Sequence, residues 1–288
     1  MIRQKAHAEV TEFFTREDAE IRKHPMPRVR MVGSSHAMRR VEREALLAAR
    51  LNANVLITGE RGVGKAVVAQ FIHEHSDRSI HGLATINCAG LPDLLVESAL
   101  FGHVRGTFAG GYRDKPGLVE SVAGGTIFLD EVGGLSPRMQ TRLLWFLETG
   151  EYQRMGGVCV QVQSRTKLSA RVIASTTTNL QERVAAGLFH DELYQRLTDV
   201  RFPVPPLRER REDIPSLIDH FTRQFAVRSV SAKSDAPEIS GATRDAFCRA
   251  EWPGNVDELK GAVLRELLRA AGFPKRPSRG TKRELVKS

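Results

Sequence analysis

The sequence predicts an α/β fold, with a parallel sheet flanked by helices, followed by a small all-helical domain. Up to about residue 204, short apolar runs rich in β-branched residues alternate with helical patterns, as in a parallel sheet covered on both faces. A proline-rich run at residues 203–206 then interrupts the pattern, and the periodic segments after it have helical spacing. The chain has 288 residues, 41% of them hydrophobic, which is enough to bury such a core.

The predicted elements follow one another in a regular order. Residues 1–28 are polar and are expected to form a short helix and a linker, because Pro25 and Pro27 break the pattern. Residues 35–51 have apolar side chains at helical spacing behind a capping residue, Ser35. The predicted strands are residues 55–58, 84–87, 126–129, 172–175 and 200–202. The predicted helices of the second domain are residues 214–228, 241–250 and 256–271.

This order divides the chain into four parts: an N-terminal helical segment and linker (1–28), an α/β domain (29–204), a helical domain (205–272) and a basic tail (273–288). The tail carries six lysines and arginines and a single acid, so it supplies more than half of the net charge of +9. Such a tail fits phosphate backbones or another acidic partner. It also fits a solvated end that keeps the protein in solution.

Composition excludes several classes of protein. No apolar run approaches the roughly 18–20 residues that span a bilayer, and no apolar stretch follows the first charged residues as in a secretory signal. Cys88, Cys159 and Cys248 are odd in number and far apart, which disfavours disulfides and zinc. We therefore expect a cytoplasmic protein with no membrane partner.

The strongest local signal follows the first predicted strand. Residues 59–65 fit the pattern G-x-x-x-x-G-K, and an apolar helix is predicted after them. Glycines let the backbone N–H groups turn inward around phosphate oxygens, and the lysine reaches the terminal phosphates. The predicted nucleotide-binding residues of this P-loop are Gly59, Glu60, Arg61, Gly62, Val63, Gly64 and Lys65, with Ala66 on the following helix.

Two carboxylates, Asp130 and Glu131, follow the strand predicted at residues 126–129. Beside a phosphate loop, Asp130 is predicted to hold Mg²⁺ through water, and Glu131 to orient a water molecule against the γ-phosphate of ATP. Ala66 stands where the motif usually has a hydroxyl ligand, so the metal would depend on Asp130, phosphate oxygens and water. The sequence therefore predicts ATP and Mg²⁺ as cofactors.

Together these motifs resemble the AAA+ domain of bacterial enhancer-binding proteins, the ATPases that activate sigma-54 RNA polymerase. The resemblance runs from about Val32 to Ala270. Besides the P-loop, it includes INCA at residues 86–89, ESALFGH at 97–103, GGTIFLDE at 124–131, PPLRER at 205–210 and WPGNV at 252–256. It implies an AAA+ parallel sheet followed by a helical lid. In this family Glu commonly follows the loop lysine, where this chain has Ala66.

The resemblance also implies site residues and partners. It implies nucleotide contacts at Val32 and Gly33, and it matches Asn87 to the asparagine that restrains the catalytic glutamate. Arg196 matches an arginine finger that reaches the γ-phosphate of a neighbouring subunit, although by sequence alone it could be an ordinary surface arginine. The implied catalytic set is Lys65, Asn87, Asp130, Glu131 and Arg196.

The implied assembly is a ring, expected to be hexameric, of this chain or of this chain with related ATPases. Sigma-54 is the implied partner in RNA polymerase. The residues after 271 are too few for the three-helix DNA-binding unit of the family. Contact with DNA is therefore expected through the basic tail or through a partner.

The chain departs from the family pattern at positions that concern turnover and its output. The sigma-contact loop reads G-A-F-T-G-A in the family and is Gly106, Thr107, Phe108, Ala109, Gly110 and Gly111 here, so that Ala109 replaces the threonine. His190 replaces the first of two arginines around the finger, and Thr177 replaces the sensor asparagine. Asp257 replaces the lid's sensor arginine, which reverses the sign of its interaction with a triphosphate.

These features support three functional hypotheses. The first is an ATP-dependent transcription regulator that remodels sigma-54 RNA polymerase. The second is a nucleotide-binding regulatory subunit, impaired in hydrolysis, that modulates a competent relative. The third is an activator that does not act through sigma-54, because its contact loop is altered.

Overall fold

The structure is a computed structural model that describes residues 19–22, 29–108, 112–157, 159–161, 170–228 and 238–271. Its strands are β1 (Ala19–Arg22), β2 (Val55–Thr58), β3 (Leu83–Asn87), β4 (Gly102–His103), β5 (Lys115–Pro116), β6 (Thr126–Asp130), β7 (Glu151–Gln153), β8 (Cys159–Gln161), β9 (Arg171–Thr176) and β10 (Val200–Pro203). Its α-helices are α1 (His36–Arg50), α2 (Lys65–Glu74), α3 (Asp93–Phe101), α4 (Leu118–Ser121), α5 (Pro137–Thr149), α6 (Leu180–Ala185), α7 (Asp191–Leu197), α8 (Ile214–Arg228), α9 (Gly241–Arg249) and α10 (Asn255–Ala270).

Among the described residues, six strands form the central sheet in the order β1-β3-β6-β9-β2-β10. The neighbouring strands β3, β6, β9, β2 and β10 run parallel, as the sequence predicts. The remaining strand, β1, pairs with β3 in the antiparallel sense. Because parallel strands share the direction of their carboxyl ends, β2, β6 and β9 end at the same edge of the sheet. That edge carries Thr58, Asp130 and Thr176, and it is where an open parallel sheet binds its ligands.

The N-terminal prediction needs a correction. Residues 1–28 were expected to contain a short helix, but Ala19–Arg22 forms the edge strand β1. Helical propensity in a polar segment is a weak preference, and the unpaired edge of β3 overrides it here by offering backbone hydrogen bonds. The remaining residues of this segment lie outside the described part of the chain.

Helices cover both faces of the sheet. On one face α3, α5 and α7 bury Leu100, Leu143 and Leu193 in one apolar cluster. On the other face α1 and α2 contribute to a second cluster, together with Phe128 of β6. The neighbours of Phe128 along β6, Ile127 and Leu129, belong to the first cluster. This alternation places the apolar side chains of a central strand on both covered faces, which explains its unbroken apolar sequence.

The second domain is a lid of three helices, α8, α9 and α10. Its core contains Leu217, Ile218, Trp252, Leu259 and Val263, which are all buried. Val32, from the segment before α1, packs against the same core. The lid is therefore joined to the first domain by side-chain packing as well as by the chain that links them.

Two small antiparallel pairs project beside the main sheet. The first joins β4 with β5, and the second joins β7 with β8. A bridge between His103 and Met155 connects the two pairs. Among the residues that the structure describes, no helix is both long and apolar enough to cross a bilayer.

Candidate nucleotide-binding site

The P-loop occupies the turn between β2 and α2. Gly62 and Gly64 have φ angles of +77° and +102°, which side chains other than glycine rarely adopt. Gly64 is the N-cap residue of α2, so the helix begins at Lys65 and directs its free N–H groups into the loop. Val63 is buried in the core beneath the loop, whereas Ala66 is exposed on the first turn of α2.

Lys65 is almost fully buried, with 7% of its surface exposed. Its Nζ atom donates to the carbonyl oxygens of Gly59 and Glu60 at 2.9 and 3.2 Å. The same Nζ lies 3.2 Å from Oε1 of Glu131. The ammonium is therefore held inside the loop, where it can neutralise phosphate charge.

Glu131 lies directly after β6 and has a left-handed backbone, with φ at +54°. Its Oε2 atom accepts hydrogen bonds from the backbone N–H and the hydroxyl of Thr177, at 2.9 and 2.8 Å. Burial alone would raise the pKa of this carboxyl, but the Thr177 donors and the Lys65 charge lower its pKa below the ordinary range. Glu131 is thus ionised at neutral pH, as a group that accepts a proton must be.

Asp130, the last residue of β6, accepts at Oδ1 from the hydroxyl of Ser175 on β9. Its backbone oxygen accepts from the N–H of Cys88 at 2.8 Å. No described residue makes a hydrogen bond or ion pair to Oδ2, so this carboxylate keeps an acceptor for a hydrated cation. A hard carboxylate oxygen next to a phosphate loop suits Mg²⁺.

Asn87 makes a different contact from the one that the resemblance implied. Its Oδ1 atom accepts from the backbone N–H groups of Ala89 and Gly90, each at 3.0 Å. The carboxylate of Glu131 is instead held by Thr177 and Lys65. The side chain of Asn87 shapes the turn after β3, as asparagine does in many turns, and its restraint of Glu131 stays a prediction.

The lid contacts the P-loop through a polar cluster. Both guanidinium nitrogens of Arg208 bind the carboxylate of Glu60, at 2.6 and 2.8 Å. The Nδ2 atom of Asn255 donates to Glu60 Oε2 at 3.1 Å and to the Arg61 carbonyl at 3.0 Å. Hydrogen bonds from Arg208 and then Asn255 lower the pKa of Glu60 to about 2. Asn255 has φ at +54°, a conformation that asparagine tolerates better than most residues.

Two further contacts join the lid to the first domain, one at the P-loop and one at the segment before α1. The buried guanidinium of Arg210 donates to the Val63 carbonyl at 2.8 Å. Asp213, fully buried, accepts from the N–H groups of Ser34 and Ser35 at 2.7 and 2.8 Å. A β-carbon at Gly33 would lie 2.8 Å from Asp213 Oδ2, so only glycine fits there. Val32 and Gly33, predicted as nucleotide contacts, therefore lie at the junction of lid and body.

Arg196 lies on α7, and within the described residues it makes no hydrogen bond or ion pair to the P-loop of its own chain. Its Nη2 is 3.3 Å from Oε1 of Glu148 on α5, and its side chain is 55% exposed. His190 is the N-cap residue of α7, and its backbone N–H donates to Gln140 Oε1 at 2.8 Å. In the described part of the chain, the guanidinium of Arg196 is exposed and has Glu148 as its one ionic partner, and its role as a finger for a neighbouring subunit stays a prediction.

The predicted sigma-contact loop begins after β4. Thr107 donates from Oγ1 to the carbonyls of Val104 and Met155. The ring of Phe108 packs edge-on against the ring of His103, with centroids 4.9 Å apart. Gly106 has φ at +85°. Ala109, Gly110 and Gly111 lie outside the described residues, so the structure gives no account of the substitution at 109.

The structure thus brings together Lys65, Asp130 and Glu131 at one edge of the sheet. Asn87 lies beside Asp130 in the pairing of β3 with β6, but among the described residues neither its side chain nor that of Arg196 makes a hydrogen bond or ion pair to these three. Sequence reasoning missed the roles of Ser175, Thr177 and the lid contacts. A sequence signal for the lid contacts exists, because Arg208 and Asn255 belong to the segments PPLRER and WPGNV that carry the resemblance. The pattern of these segments does not by itself indicate which groups the two side chains bind.

A parallel sheet with a phosphate loop, an acidic strand end and a helical lid defines a P-loop fold of the AAA+ class. The likeness to solved structures extends to Hsp104 bound to ATPγS and casein, with a TM-score of 0.56 over 78% of this chain and 41% of that one. At 16% identity this match shows the fold alone. Residues 208–272 match the AAA+ ATPase lid domain.

Residues 31–203 match the sigma-54 interaction domain, and the chain belongs to that family. It is 42% identical over 243 residues to the transcriptional regulatory protein ZraR of Salmonella typhimurium, covering 84% of this chain and 53% of ZraR. It is also 42% identical over 248 residues to the DNA-binding transcriptional regulator NtrC of that species, covering 85% of this chain and 51% of NtrC.

Among solved structures, NtrX from Brucella abortus in complex with ATP matches with a TM-score of 0.74 and 29% identity, over 96% of this chain and 60% of that one. The chain spans about half the length of the curated relatives it matches.

Proposed function

We propose that this chain binds ATP and hydrolyses it, and that it uses the reaction to remodel sigma-54 RNA polymerase as a transcription regulator. The observation that carries the proposal is the contact between Lys65 of the P-loop and Glu131, with Asp130 beside them. Family membership and the NtrX complex with ATP support the same ligand.

The residues divide the chemistry among them. The N–H groups of the P-loop and of the first turn of α2 bind phosphate oxygens, and Lys65 offsets their charge. Glu131, ionised and oriented by Thr177, accepts a proton from the water that attacks the γ-phosphorus. The bond between that phosphorus and the β–γ bridging oxygen breaks, and the electron pair leaves with ADP.

Mg²⁺ fits this site through Asp130. The free Oδ2 atom would hold a water of the metal's shell, while Ser175 fixes the orientation of the carboxylate. When bound, the cation would neutralise charge on the β- and γ-phosphate oxygens. Since Ala66 has no hydroxyl, Asp130 is the protein group of this site best suited to the role.

We further propose that the active form is an oligomer in which Arg196 serves the nucleotide of a neighbouring subunit. The exposure of Arg196, and its contact with Glu148 and not with a P-loop group among the described residues of its own chain, support this arrangement. A ring of six is the size that the family resemblance implies. Phe108, held by His103 at the start of the loop, would present the contact surface for sigma-54.

A titration of ATPase activity against protein concentration tests the proposal, with Lys65→Ala as the matched control. A shared site predicts that activity per subunit rises as subunits assemble. Transcription in vitro with sigma-54 polymerase and with polymerase carrying another sigma factor then tests the output. Activity no greater than that of Lys65→Ala at every concentration would instead favour the regulatory subunit that modulates a relative.

A further inference from the structure

The first turn of α10 lies directly on the P-loop. The backbone N–H of Val256 donates to the carbonyl of Gly62 at 2.9 Å. Asn255 binds the Arg61 carbonyl and, through its Oδ1, accepts from the backbone N–H of Leu207 at 2.8 Å. These contacts involve backbone groups of both elements, so the start of α10 has a fixed position relative to the phosphate loop.

Asp257 is the next residue on this turn, and its side chain faces Gly62. A β-carbon built on Gly62 would lie 3.3 Å from both the Cβ and the Oδ2 atoms of Asp257. The side chain is exposed. Within the described residues, no hydrogen bond or ion pair is made to this carboxylate. A free negative charge therefore lies beside the loop that receives phosphate.

The two acidic side chains nearest to Asp257 in these contacts, Glu60 and Glu258, each have a hydrogen-bond donor. Glu60 is bound by both nitrogens of Arg208. Glu258 accepts from the backbone N–H of Gly254 at 2.7 Å, at the start of its own helix. Asp257 differs from both because no described residue donates to its carboxylate, so its charge can interact with a ligand bound in the loop.

We propose that Asp257 sets the preference of this site among nucleotides, favouring the diphosphate over the triphosphate. This inference rests on the proposed function in one respect, that the loop binds adenine nucleotides. The triphosphate brings an additional negative charge to the loop, and a carboxylate beside Gly62 repels that charge. The chain then stays bound to the diphosphate until a cation, a neighbouring subunit or a partner offsets the repulsion between Asp257 and the triphosphate.

The contacts of the lid explain why we assign the repulsion of the triphosphate to Asp257. The cluster of Glu60, Arg208 and Asn255 holds the start of α10 against the loop, so that the backbone of Asp257 stays beside the loop while those bonds are intact. A charge on a mobile surface segment would be screened within a Debye length of about 8–10 Å at physiological salt. At the loop itself, screening is incomplete.

Calorimetric titration of the full chain with ADP and with ATPγS, at one fixed Mg²⁺ concentration, tests the proposal. The readout is the ratio of the two affinities, because damage to the fold weakens both. Asp257→Asn is expected to raise the ratio of ATPγS to ADP affinity about fivefold to tenfold, the size of one screened charge contact. Asp257→Arg is expected to raise it further, and both gains should shrink at high salt.

Asp245→Asn is the matched control, because Asp245 is an exposed aspartate of the lid on α9. It makes the same change in charge and should leave the ratio unaltered. An unchanged ratio in Asp257→Asn, or a fall caused by weaker ATPγS binding, overturns the inference. Failure of the wild-type chain to bind either nucleotide is a different result, since it overturns the proposed function itself.

Discussion

The hydroxyl of Thr177 lies 2.8 Å from Oε2 of Glu131, and the backbone N–H of the same threonine lies 2.9 Å from that oxygen. One residue at the end of β9 thus supplies two donors to the carboxylate after β6. Lys65 holds the opposite oxygen, Oε1. By sequence alone, Thr177 was a departure expected to harm turnover. Its contacts support a different interpretation, in which Thr177 orients the carboxylate that we propose as the proton acceptor.

The contact predicts the effect of substitution at Thr177. Thr177→Val keeps the shape and the backbone donor but removes the hydroxyl, and we expect kcat for ATP hydrolysis to fall about tenfold, the size of one hydrogen bond to a charged group. Thr177→Ser keeps the hydroxyl and should stay near the wild-type rate. Steady-state ATPase measurements at saturating ATP compare the three proteins.

The pH profile separates this role from a structural one. The Thr177 bonds help to lower the pKa of Glu131, so removing one of them should move the acid limb of kcat to higher pH in Thr177→Val. A lower rate with an unmoved acid limb would mean that Thr177 only supports the fold.

The lid junction predicts a stability effect at Asn255. Asn255→Ala leaves the N–H of Leu207 and the carbonyl of Arg61 without their buried partner, and it places alanine at a φ of +54°. We expect the free energy of unfolding to fall by about 2–4 kcal/mol. Asn255→Gly is the control, because it loses the same bonds without the backbone strain. Equal stability of all three proteins in denaturant would contradict the assigned contacts.

Glu60 predicts a pH dependence of stability. Arg208 and Asn255 lower its pKa from 4.5 to about 2. Because the folded pKa lies below the unfolded one, its contribution is present above pH 4.5 and is lost as the pH falls toward 2. The wild-type chain should therefore lose more stability across this window than Glu60→Gln does. Parallel curves of unfolding free energy against pH would exclude the ion pair as a stabilising contact.

A shared site predicts complementation between inactive variants. Arg196→Ala should lose about 10³-fold in ATPase rate if the residue acts as a finger, and Glu131→Gln should be inactive for lack of the base. In mixed assemblies some sites pair an intact Glu131 with an intact Arg196, so mixing should restore activity. If the mixture stays as inactive as its parts, Arg196 does not act between subunits.

Much of the fold was readable from the sequence because its signals are local or periodic. The strand after α1 and the lid helix α8 have the predicted bounds, Val55–Thr58 and Ile214–Arg228. The predicted cap Ser35 accepts from the N–H of Met38 at 3.1 Å. The edge strand Ala19–Arg22 was missed, since its stability comes from pairing with a distant strand and not from its own pattern.

The site residues were predictable from the sequence only where a local motif indicates their chemical role. The glycine spacing and Lys65 define the P-loop, and the apolar strand before Asp130 defines the acidic end. The partners of these residues come from positions far along the chain, such as Ser175 for Asp130. Threonines and serines are common at strand ends, so their roles emerge only when the fold brings them to the carboxylates.

Calorimetric titration of ATPγS with Mg²⁺ into the wild-type chain and into Lys65→Ala tests the central claim most directly. The buried ammonium inside the loop predicts saturable binding by the wild-type chain, and a loss of at least about tenfold in affinity in the variant, as expected for one charge-assisted phosphate contact. Equal affinity of the two proteins, or no binding by the wild-type chain, would contradict the assignment of this loop as a nucleotide site.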